Sequence, residues 1–115
     1  MNQPKIARPE DISWEPHPQL SNVQVAVLLS NRDERMDLTC MLVHLEPGTK
    51  VERHTHECDD IAYMVKGKSI LWIEGVGEVA MTAGSFVRIP KGVQHQMLAV
   101  EEETLIYDVF FPFIV

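Results

Sequence analysis

GTKVERHTHECDD, residues 48–60, is the stretch whose reading decides the rest of this chain. His54 and His56 stand one residue apart, and Glu57, Cys58, Asp59 and Asp60 follow without a break. All of these side chains can ligate a metal or pass a proton. An acidic loop holding two surface histidines would have the same local sequence. Only residues elsewhere in the chain separate the two readings.

On both sides of this stretch the pattern is short and rich in β-branched and aromatic residues. VQVAVLL (23–29), DLTCMLVHL (37–45), IAYMV (61–65), SILWIE (69–74), VAM (79–81), SFVRI (85–89) and TLIYDVFF (104–111) are each about strand length. The turn signals between them are EPG (46–48), KGK (66–68), EGVG (74–77), TAG (82–84) and PKG (90–92). Nothing sustains a helical period. Many short strands with Gly and Pro at the corners predict a closed or sandwiched antiparallel sheet. Pro4, Pro9, Pro16 and Pro18 crowd the opening segment, so residues 1–22 read as an irregular arm and residues 23–115 as the barrel.

The spacings narrow this further. Gly48 precedes His54-Thr55-His56 by a five-residue gap, and Asp60 and Gly67 follow in the pattern G-x5-H-x-H-x3-D-x6-G. Later, Gly84, Pro90, Gly92 and His95 follow G-x5-P-x-G-x2-H. The pair resembles the two motifs of the small single-domain cupins. The fold implied is an all-β double-stranded β-helix, the jelly-roll cupin barrel. Two positions depart from the family pattern: Asp60 stands where Glu is usual, and Ala99 where the second motif ends in Asn. The resemblance implies a metal held by His54, His56, Asp60 and His95, and it has a physical basis. Residues two apart on a strand point the same way, so His54 and His56 would face the interior together. Three imidazoles and a carboxylate suit one divalent transition ion, Fe, Mn, Ni, Cu or Zn, with positions left open for water or substrate.

The neighbouring residues have humbler readings. Glu57 and Asp59 alternate against the inward set and belong on the loop's solvated face. Cys58 shares parity with the ligands, but a small buried filler is its ordinary role. His44 reads as a packed or surface histidine, and His17, between two prolines, as part of the arm. Ala62, Met64 and Met97 continue the inward rows, giving a small and mostly apolar pocket above the ion.

Asp108 interrupts the apolar last strand, on one face with Thr104, Ile106 and Phe110. Either Asp108 faces solvent at the strand end, or it is buried, in which case it must be paired, protonated or used. The ending DVFFP, residues 108–112, resembles the D-V-F-x-P of cupins that open the ring of unsaturated uronates. That resemblance implies catalysis by Asp108 and substrate contact by Phe110. The group usually carries an Arg two residues after the Pro, suited to a sugar carboxylate. Here Pro112 is followed by Phe113 and Ile114, so Arg53 or Arg88 would have to substitute.

The chain's composition, 45% hydrophobic and 23% charged over 115 residues, is that of a globular domain. A net charge of −7 argues against nucleic acid or an anionic membrane as partner. No apolar run reaches the ~20 residues of a membrane helix. The start, MNQPKIARPEDISWEP, has charge and proline where a signal peptide needs an apolar core. With Cys40 and Cys58 read as free thiols, a cytoplasmic protein is expected. The resemblance also implies a homodimer, with the arm available for strand exchange. The expected function is that of a metal-dependent enzyme on a small polar or sugar-derived metabolite. Lewis-acid isomerisation, ring opening or lyase chemistry would have Asp108 or Tyr63 moving the proton and Phe110, Met64, Met97 and Arg88 contacting the substrate. The alternatives are an Fe/Mn-dependent dioxygenase and a non-catalytic module that binds a small ligand.

Overall fold

The computed structural model describes residues 3–115; residues 1–2 of the expected arm lie outside the described residues. After a single 3-10 turn at Pro9–Asp11 come β1 (Glu15–Pro16), β2 (Gln24–Leu29), β3 (Thr39–Leu45), β4 (Val51–His54), β5 (Asp59–Ile73), β6 (Gly77–Thr82), β7 (Phe86–Ile89) and β8 (His95–Phe111). One helical turn, α1 (Asn31–Glu34), links β2 to β3, and Ser30 caps it by accepting from the Asp33 amide.

All pairings are antiparallel. Two long bent strands wrap the structure. β8 pairs with β4 at its start and with β3 at its end, while β5 runs along most of its length. On its other side β5 pairs first with β7 and then with β6. This is the jelly-roll barrel expected from the sequence.

The KGK turn is a departure. Residues 66–68 do not end a strand: β5 continues through them, and its register against β8 slips repeatedly between Met64 and Leu71. These irregularities bend one strand around the barrel where two strands and a corner were expected. Gly67 sits at the bend with φ of 108°, and a Cβ there would come within 2.7 Å of the Glu103 carbonyl oxygen. Neither the backbone conformation nor the space admits a side chain. Gly67→Ala is therefore expected to lose at least about 2 kcal/mol of stability, read as a lower urea midpoint at unchanged m.

Strand alternation sorts the side chains. One row across β3, β8, β5 and β7 holds Met41, Asp108, Ala62 and Val87; the next inward row holds Thr39, Phe110, Asp60 and Ile89. The alternate rows, Leu42–Tyr107–Tyr63–Phe86 and Cys40–Val109–Ile61–Arg88, face the other way. Phe110, Met41 and Met64 are fully buried. Ile114 and Val115 fold back on the core, and their amides donate to the Thr39 hydroxyl at 3.1 Å. The arm lies on its own barrel through the pairing of Glu15 with Val25 and Pro16 with Gln24. No helix among the described residues is long and apolar enough to cross a membrane.

Candidate metal centre

The two sequence motifs meet inside the barrel. His54 ends β4 and is paired in register with His95, the first residue of β8. His56 lies past the end of β4, in a loop rather than on the strand that the alternation predicted. Its carbonyl accepts from the Gly92 amide at 3.0 Å, which ties the first motif to the PKG turn of the second. Outside the loop, Asp59 accepts from Arg88 Nε at 2.8 Å and from the Lys91 amide at 3.0 Å. Two braces thus fix the spacing between loops remote in sequence.

The three rings converge. Centroid separations are 4.3 Å for His54–His95, 4.9 Å for His54–His56 and 5.1 Å for His56–His95. One nitrogen from each lies within 4.8 Å of the others. Each Nδ1 is spoken for by a carbonyl oxygen: His54 by Glu52 at 2.7 Å, His95 by Val93 at 3.0 Å, and His56 by the Gln19 side chain at 3.1 Å. Carbonyl oxygens only accept, so each Nδ1 bears the proton and each Nε2 keeps a lone pair. Asp60 stands against that lone-pair side, with Oδ2 3.9 Å from His56 Nε2 and 3.8 Å from His95 Nε2.

This donor set has no internal solution. Three lone pairs and a carboxylate face one another, and His95 Nε2 and Asp60 Oδ1 are buried without a hydrogen-bond partner. Protonating His56 or His95 is not the remedy, because burial pulls His56 down to about 4 and also lowers His95, outweighing the opposing pull of Asp60. A cation satisfies all four groups at once. The residues present fit a divalent transition metal bound by His54, His56 and His95, with Asp60 alongside.

The cavity around these rings is lined by Ala62, Met64, Met97, Ile106, Asp108 and Phe110, among other mostly apolar residues. Asp108 therefore faces inward, on the row that continues through Ala62. Burial, and then the neighbouring Asp60, raise its carboxyl well above the usual carboxylate range, which favours the protonated form. Phe110 packs its ring edge-on to His56, with centroids 5.2 Å apart.

Other expected residues lie elsewhere. Tyr63 is 47% exposed on the outer row, where side-chain parity carries it away from the cavity. Arg88 is outside too, held by Asp59, and the Arg53 guanidinium stacks on the Trp72 ring at 4.1 Å. Neither arginine, nor any Lys, is among the residues that line the cavity. Cys58 is a buried core residue whose thiol burial pushes up to about 11, which suits the filler reading and not a thiolate ligand. His44 pairs with Glu103 at 3.0 Å on the barrel's outside.

Sequence reasoning missed His17. Far from being a bystander in the arm, it is 8% exposed and lines the cavity, and two residues on Gln19 holds His56. No local signal marks this, because the arm's path across the barrel is set by its pairing with β2.

Burial lowers both His17 and His56 to about 4. A histidine depressed when folded binds protons more weakly than in the unfolded chain, so stability is full above the ordinary value near 6.5 and is lost as pH falls toward 4. The metal-free protein is expected to show a markedly lower urea midpoint at pH 5 than at pH 7.5.

Residues 41–111 match the family model described as Cupin domain. No curated protein matches the chain. Among solved structures it is similar to KdgF from Halomonas sp., at 24% identity and a TM-score of 0.75, covering 91% of this chain and 92% of that one. It is also similar to the polyketide cyclase RemF from Streptomyces resistomycificus, at 17% identity and a TM-score of 0.80, covering 95% and 80%. A third is a predicted oxalate decarboxylase from Thermotoga maritima, at 21% identity and a TM-score of 0.78, covering 93% and 98%. At these identities the likeness is one of fold. The family match is a stronger statement: it takes in most of the barrel and all three converging histidines, and the chain belongs to the Cupin domain family.

Proposed function

We propose that this cupin is a metal-dependent enzyme that isomerises, ring-opens or cleaves a small carbonyl- or hydroxyl-bearing metabolite. The observation that carries the reading is the cluster of three imidazole lone pairs and the Asp60 carboxylate, buried with no donor of its own. His54, His56, His95 and Asp60 would hold the ion. When bound, a divalent metal supplies a Lewis acid toward a substrate oxygen.

The chain's own residues do the rest. Asp108, its carboxyl raised by burial and by Asp60, is placed to give or take a proton inside a mostly apolar cavity. Met64, Met97 and Phe110 provide the walls. With Arg53 and Arg88 both outside, no side-chain cation is available for a sugar carboxylate. This favours substrates whose charge sits on the oxygen atoms the ion takes, over uronates that carry a second anionic group.

Elemental analysis of freshly purified protein is the test, with His54→Ala as control and a screen of keto acids and unsaturated uronates on the metal-loaded form. About one transition ion per chain is expected, with turnover that survives without oxygen. Oxygen consumption would replace this reading with the Fe/Mn dioxygenase. Tight retention of a screened compound without turnover would replace it with a binding module.

We further propose a homodimer. Tyr63, Phe86 and Tyr107 form one exposed aromatic row on the outer sheet, flanked by Val65 and Phe111. Light scattering at micromolar concentration should give twice the 13.1 kDa chain mass.

A further inference from the structure

His17 Nδ1 accepts two backbone N–H groups, from Gln19 at 3.0 Å and Leu20 at 3.1 Å. A ring nitrogen that accepts twice has a lone pair and no proton, so the proton of the neutral ring is on Nε2. The backbone holds the residue in place: the His17 amide donates to the Val23 carbonyl at 2.8 Å, and Pro16 and Pro18 stiffen the chain on both sides. Among the described residues Nε2 has no hydrogen-bond partner, although His17 is 8% exposed and lines the cavity. This is the reverse of the arrangement at the three converging histidines, whose Nδ1 atoms carry the proton and whose Nε2 atoms accept.

We propose that His17 is a substrate-positioning residue, its Nε2–H a fixed neutral donor for a carbonyl, carboxylate or hydroxyl oxygen of the substrate that the metal does not hold. The assignment deepens the metal-enzyme reading and rests on it. It follows from what the cavity otherwise offers. His54, His56, His95 and Asp60 would be engaged with the ion, the rest of the lining is mostly apolar, and no Lys or Arg contributes. An oxygen of the substrate that the ion does not take therefore meets few donors. Besides the acid Asp108, the remaining donor is the Ser69 hydroxyl, whose proton can rotate; that of His17 is locked by two amides. Burial keeps the ring neutral by lowering it to about 4. It therefore orients an oxygen without adding charge, and selects against ligands that present an N–H at that point.

Two substitutions separate the donor from the anchor. In H17N the amide oxygen can still accept from Gln19 and Leu20, but the donor into the cavity is lost. In H17Q the longer amide restores a donor near the position of Nε2. Co2+ affinity is measured first, then oxalate is titrated against the Co2+-loaded chain. The expected result is unchanged Co2+ affinity in all forms, oxalate bound roughly five- to tenfold more weakly by H17N, and recovery to within twofold in H17Q. Nitrogen-15 NMR of the wild-type ring should show the Nε2–H tautomer whether or not the variants fold. H17N that binds oxalate like wild type, H17N that loses Co2+ itself, or a wild-type ring protonated on Nδ1 overturns the assignment while leaving the metal reading intact. A wild-type chain that takes up no Co2+ overturns both.

Discussion

His95→Ala will leave the protein folded and without its ion. The substitution removes one of three Nε2 lone pairs from the convergence point, a larger loss than the roughly 10–100-fold in affinity typical of an outer partner such as the Gln19 contact to His56. Metal content should fall from about one ion per chain to near zero in elemental analysis. The variant is not expected to unfold. In the metal-free chain His95 Nε2 is buried without a partner against Asp60, so deleting the ring relieves an acceptor facing an acceptor while opening a small void. The two changes oppose each other, and the urea midpoint of the metal-free variant should lie close to that of the metal-free wild type. A wild type free of metal after expression in supplemented medium, or a variant that keeps its ion, would remove the basis for the proposed chemistry.

Asp108→Asn will separate catalysis from binding. The amide is the same size as the acid but cannot release a proton. Turnover is expected to drop by about 10²–10⁴, the usual worth of a positioned acid–base group, with metal content unchanged and KM little altered. The sign of the stability effect offers an independent check. A carboxyl raised by burial and by Asp60 binds its proton more tightly in the folded state. It therefore withdraws stability as pH rises above the ordinary carboxylate range. Asn has nothing to lose, so the variant should match or exceed wild type in urea midpoint at pH 8. A variant that loses metal along with turnover would make Asp108 a prop for the site rather than its acid.

Much of this site was legible before any coordinates. The spacing from Gly48 to Gly67 and from Gly84 to His95 named the three histidines, and period-two alternation set Ala62, Met64 and Met97 inward and put Asp108 on one face with Phe110, while leaving open whether that face is buried. The same alternation, applied strictly, would have kept Tyr63 and Arg88 out of the pocket. Each is one residue out of step with an inward neighbour, Tyr63 beside Ala62 and Arg88 beside Ile89. The KGK corner failed differently: Gly and Lys mark a change of direction, but whether the chain turns back or bends on depends on the strand beside it. Here β8 stays paired with β5 on both sides of the bend.

The chain alone determined what its local periodicities and motif spacings encode: strands, the inner and outer faces, and the residue types that could gather round an ion. Tertiary structure decided what depends on packing between distant segments. It set the protonation of each ring through carbonyls of Glu52, Val93 and Gln19, buried Asp108 against Asp60, and laid the arm across the barrel so that His17 entered the cavity. The reason is one of range: alternation is fixed by the backbone within a few residues, whereas a lone pair, a raised carboxyl or a locked tautomer depends on atoms brought near only by folding.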